Sequence, residues 1–108
     1  MPLLTIESGD NSIEVEGTEW SEIASYSRGS LGGEYCRWTQ KVLRHDDGRV
    51  IVYIDAKMHS GQQRRVGTEL PADSPDVEAV IHSIARSLAL NIWTADRCVE
   101  QYQKAVRL

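Results

Sequence analysis

The sequence predicts an α+β fold: an antiparallel β-sheet meander, made of an N-terminal hairpin plus three central strands, followed by two C-terminal helices packed on one face. Three observations carry this. Residues 49–58 (RVIVYIDAKM) alternate with a period of two and are rich in β-branched side chains. Asp46-Asp47-Gly48 and His59-Ser60-Gly61 bracket that segment, each a three-residue loop ending in Gly, the pattern of a type I turn followed by a left-handed residue. Beyond residue 74 the apolar period switches to that of a helix. At 108 residues the chain is read as a single α+β domain spanning 1–108, large enough for one modest core.

In chain order, residues 3–8 and 12–16 flank Gly9-Asp10-Asn11, and Ile13 and Val15 alternate with Glu14 and Glu16, which predicts the first hairpin. Residues 18–28 are ambiguous. Trp20, Ile23 and Ala24 fall at helical spacing and Thr18 can cap a turn, whereas the Ser and Tyr that follow suit a strand. A short helix and an irregular strand both stay open. Arg28 through Gly33 reads as a loop.

The two Gly-ended loops predict a register. Across the first, paired numbers sum to 94, so Cys36 faces Met58, Trp38 faces Ala56, Gln40 faces Ile54 and Val42 faces Val52. Across the second they sum to 120, so Ile54 faces Val66 and Val52 faces Thr68. Both turns place the apolar sets on the same side of the sheet, whereas a one-residue slip would separate them. The outward face then carries Tyr35, Arg37, Thr39, Lys41, Tyr53, Asp55, Lys57, Arg65 and Gly67.

The first helix is expected from an N-cap at Ser74, with Pro75 at its first position, to about Leu90-Asn91. Its apolar stripe is Val77, Val80, Ile81, Ile84, Ala85 and Leu88. Thr94 is expected to cap a second helix carrying Ala95, Cys98, Val99, Tyr102 and Val106 on one face.

The formal net charge is -4, from 16 acidic and 12 basic residues, which argues against a general polyanion binder. Charge is nevertheless segregated. Residues 1–27 hold six acids and no Lys or Arg, 28–65 hold eight basic and four acidic residues, and 66–108 hold six acidic and four basic ones. No apolar run is long enough for a membrane helix, so no membrane partner is expected. The start, MPLLTIESGD, does not read as a signal peptide, and the two distant Cys, Cys36 and Cys98, form no disulfide framework. A cytoplasmic setting is expected.

No linear motif fixes a chemistry. His45 and His59 fall at opposite ends of one strand, and His82 has Arg86 rather than a ligand at i+4, so no metal site and no cofactor are predicted. Cys36 and Cys98 read as buried thiols, and Asp55 lies opposite Arg65, which would hold it ionised. No catalytic residue is assigned. The loop containing Arg28 is a candidate anion cradle. The main candidate is the basic outer face: Arg37, Lys41, Tyr53, Lys57 and Arg65. Arg37 directly opposite Lys57 is unfavourable for stability alone and points to a negatively charged partner.

The expected function is therefore a small non-catalytic interaction or accessory protein, binding an unknown protein partner through its sheet face or edge. A homodimer through an uncovered edge, 62–70 or 3–8, is a special case. The alternative is a nucleic-acid-binding module on the basic face, its aromatics stacking on bases. The third reading is a small enzyme with its pocket near Trp20, Trp38 or Trp93.

Overall fold

The structure, a computed structural model, describes residues 4–15, 19–29, 35–88, 90 and 92–106. It contains β1 (Leu4–Ser8), β2 (Asn11–Val15), β3 (Trp20–Gly29), β4 (Tyr35–His45), β5 (Val50–Met58), β6 (Gln63–Leu70), α1 (Val77–Ser87) and α2 (Ile92–Val106). The strands form one six-stranded sheet in the order β2-β1-β6-β5-β4-β3. The α+β class stands, but the meander is corrected in two ways. Residues 20–29 are a sixth strand at one edge, and β1 joins β6 as the one parallel pair, through Glu7 opposite Val66.

The central hairpins form as their turn chemistry dictates. The His45 N–H donates to the Arg49 carbonyl at 2.8 Å, the Met58 N–H to the Gln62 carbonyl at 2.8 Å, and Gly48 and Gly61 adopt φ 99° and 95°. Glycine meets that left-handed requirement without a Cβ clash. The register then runs through Trp38–Ala56, Gln40–Ile54 and Val42–Val52 on one side and Ile54–Val66 and Val52–Thr68 on the other, as expected. One departure lies at the start of β4. A bulge between Tyr35 and Arg37 pairs Tyr35, not Cys36, with Met58. The extra residue inverts the local side-chain alternation. Tyr35 is therefore buried in the helix-side core rather than facing outward, and Cys36 is only half-buried.

A second bulge explains the ambiguous segment. Between Glu22 and Ala24 the register of β3 on β4 shifts, so Ile23 and Ala24 interrupt the period of two and imitate helical spacing. The first hairpin turns through Gly9-Asp10 alone, because Asn11 already belongs to β2 and pairs with Ser8.

Both helices serve the same face of the sheet. Val77, Ile81, Ile84 and Ala85 of α1 and Ala95, Cys98 and Val99 of α2 share one core with Trp38, Val42, Val52, Ile54 and Ala56. Val106, expected on the apolar face of α2, is 44% exposed. Helix bounds differ from expectation. The Ser74 hydroxyl accepts the Asp76 N–H at 3.3 Å in the turn that leads into α1, which starts at Val77 and stops at Ser87. Thr94 lies inside α2 rather than capping it, because its hydroxyl accepts the Trp38 indole N–H at 3.2 Å within the core.

The opposite face carries a second apolar cluster. Ile6 and Val15, from the N-terminal hairpin, join Leu43, Ile51 and Tyr53. In a flat sheet β1 would stand roughly 10 Å from β5, so the sheet coils to lay the hairpin against the outer face of its centre.

Candidate partner-binding face

The outer face is split by that hairpin. One half is covered. The other is polar, and its residues lie in two rows across β3, β4, β5 and β6: Gly29, Arg37, Lys57 and Gln63, then Ser27, Thr39, Asp55 and Arg65. These rows follow directly from period-two alternation in a fixed register.

In the second row every charge has a partner. Both Asp55 oxygens are occupied, one by Gln63 Nε2 at 2.7 Å and the other by Arg65 Nε at 3.3 Å. The Ser27 and Thr39 hydroxyls bond each other at 2.7 Å. Lys41, next along β4, meets Glu22 at 3.1 Å. Burial pulls the Lys41 ammonium down, but the Glu22 bond together with the fields of Tyr53, Glu22 and Asp55 outweighs it and leaves the group above its ordinary value.

The first row is different. Arg37 and Lys57 face each other as a register pair, both are exposed, and neither has an ion-pair partner among the described residues. Of the five predicted face residues, the structure thus leaves Arg37 and Lys57 exposed, with Lys41 and Arg65 partly buried on the same face. Tyr53 is corrected: it points outward but is 4% exposed, because the β1–β2 hairpin lies over it. Burial raises its hydroxyl above the ordinary value.

Arg28 is also relocated. It sits on β3 rather than in a loop, and the rest of the proposed anion cradle, residues 30–33, lies outside the described residues. Its guanidinium stacks 4.5 Å from the centre of the Trp93 ring, with Arg97 at 4.9 Å from the same ring and Tyr26 edge-on at 6.1 Å. Trp93 is 41% exposed. Sequence reasoning missed this cluster, since the 65-residue separation of Arg28 and Trp93 leaves no local signal.

His45 sits edge-on to Trp20, and its Nδ1 accepts the Asp47 N–H. His82 Nε2 lies 2.7 Å from Asp96. Among the described residues no three His, Cys, Asp or Glu side chains gather as a metal site. Burial pushes the Cys98 thiol up to about 12, and the Cys36 thiol donates to the Met58 carbonyl at 3.7 Å. A thiol held that high is a poor nucleophile. A cleft of about 180 Å³ opens between the end of α2, the start of α1 and the sheet, with Arg44, Asp73, Ser74 and Tyr102 around an apolar floor of Ile23 and Val77. Its lining includes none of Trp20, Trp38 and Trp93, where the sequence placed an enzyme pocket.

No helix among the described residues is long and apolar enough to cross a membrane. No protein-family model matches the chain, and comparison with curated proteins and with solved structures finds no match.

Proposed function

We propose that this protein is a small non-catalytic interaction protein whose open half-face binds an acidic segment of a protein partner, with Arg37 and Lys57 at the centre of contact. The observation that carries this reading is the opposition of these two exposed cations with no ion-pair partner for either among the described residues, while Lys41 and Arg65 on the same face each have one. Like charges directly opposite destabilise a sheet, and an incoming carboxylate removes that penalty. The nucleic-acid reading loses support from the burial of Tyr53, because no exposed aromatic among the described residues remains on this half-face for bases to stack on. The free thiols Cys36 and Cys98 suit a reducing compartment such as the cytoplasm. Self-association is a weaker case than expected: among the described residues β6 and β1, which fall within 62–70 and 3–8, are interior strands, and the edges are β2 and β3.

Affinity capture from the native host tests the proposal, comparing wild type with the Arg37→Glu, Lys57→Glu double variant in the presence and absence of nuclease. The expected result is a dominant protein partner that resists nuclease and is lost in the variant, with the melting temperature close to that of wild type, since the exchange replaces one like-charge pair with another. Undiminished capture by the variant would overturn the proposal, and nuclease-sensitive capture would restore the nucleic-acid alternative.

A further inference from the structure

We infer that the acidic partner segment binds as an added β-strand along the β3 edge at Ser27–Gly29, carrying acidic side chains on both of its faces. The inference rests on the basic-face reading and names the mode and chemistry of the partner.

The backbone supplies the first argument. β3 pairs with β4 on one side only and is an edge of the sheet. Along that free side the Ser25 N–H donates to the side-chain oxygen of Gln101, on α2, at 3.0 Å. A side-chain carbonyl thus stands where a neighbouring strand's carbonyl would stand. In an antiparallel ladder the residues two and four further on turn their N–H and C=O the same way. Ser27 and Gly29 therefore present the next outward groups, past the shift that ends at Ala24. No backbone or side-chain acceptor among the described residues meets the N–H of either. An open edge of this kind is the template for strand addition.

Charge supplies the second argument and selects the occupant. At this end of β3 cations lie on both faces of the sheet. Arg28, paired across from Trp38, is on the helix side, held over the Trp93 ring and without an acid partner among the described residues. Arg37, paired across from Gly29, is on the outer side with Lys57 beyond it. Gly29 has no side chain, so Arg37 is open toward the edge. Successive residues of an added strand alternate between the two faces. Adjacent acidic residues would then meet Arg28 on one side and Arg37 on the other, giving an acid partner to two cations that have none among the described residues.

The probe is a blocked eight-residue peptide of alternating Val and Glu with a central Glu-Glu pair. It is compared with a Gln-for-Glu version and with one carrying proline at alternate positions. Binding is followed by NMR, together with amide hydrogen exchange of the full chain. The expected result is protection of the Ser27 and Gly29 amides on binding, with affinity about tenfold weaker for either control peptide and for the Arg28→Glu variant. Equal binding of the proline version without that protection overturns strand addition while leaving the basic face as the docking site. No binding of the Glu peptide overturns the inference as well, and the host capture experiment then judges the basic face by itself.

Discussion

Gln40 and Thr94 are the two buried polar side chains among the described residues, and they behave differently. Thr94 is spoken for, since its hydroxyl receives the Trp38 indole N–H. Gln40 is half satisfied: its amide nitrogen donates to the Ile81 carbonyl at 2.7 Å, while its Oε1 has no partner among the described residues. A buried acceptor left without a donor costs more than an ordinary hydrogen bond returns. Gln40→Met should therefore raise stability by about 1 kcal/mol, whereas Thr94→Val should lower it by about 1–2 kcal/mol through the orphaned indole N–H. Urea unfolding of the two variants checks both signs. Tyr53 gives a pH dependence. Burial favours its neutral form in the folded state, so its folded pKa is raised. The associated stability is fully present below the ordinary tyrosine value of 10.0 and is lost as pH rises through the higher folded value. Unfolding midpoints measured from neutral to strongly alkaline pH should fall less steeply in Tyr53→Phe than in wild type.

The element scale shows what glycine does in two unlike places. Gly61 sits in its turn at φ 95° with nothing within 4 Å of where a Cβ would be, so Gly61→Ala should cost only backbone strain, about 1 kcal/mol. Gly67 lies in β6, where a Cβ would overlap both the Val52 carbonyl oxygen and the Tyr53 Cβ. Gly67→Ala should cost about 3 kcal/mol, because two adjacent strands must move apart. The difference between the two denaturation midpoints tests this ordering. Elements bounded by such turns were legible in the sequence. The register from Arg37 to Gln63 followed from two loops, because the loop length fixes which residues pair. β3 was not legible. Its bulge after Glu22 breaks the alternation that identifies a strand, and only its pairing with β4 resolves it. The bulge at Cys36 likewise turned Tyr35 inward without a turn residue to announce it.

The whole molecule is organised by the return of its N-terminal hairpin. That hairpin adds β1 beside β6 and buries Ile6 completely against the second apolar cluster. Ile6→Ala should cost about 3 kcal/mol. It should also loosen the hairpin and raise binding of a hydrophobic dye, as Leu43, Ile51 and Tyr53 become accessible. An unchanged dye signal alongside a lowered melting temperature would show that the hairpin stays in place. The same hairpin defines the candidate site by subtraction, since the basic half-face is the part of the outer surface that it leaves open.

The register positions of the basic face were legible in the sequence because strand alternation and turn geometry are local. Arg37 opposite Lys57, and Asp55 opposite Arg65, follow from loops of three residues. The segregation of charge into an acidic start, a basic centre and an acidic end is likewise a property of the chain alone. What only the tertiary structure decided is which of those residues meet solvent. Tyr53 is covered by a hairpin 38 or more positions away, Lys41 is neutralised by Glu22 across a bulged strand, and Arg28 is held by Trp93 from a helix. Coverage and pairing across such separations depend on how the sheet coils and which strands become its edges, and no local period in the sequence encodes either.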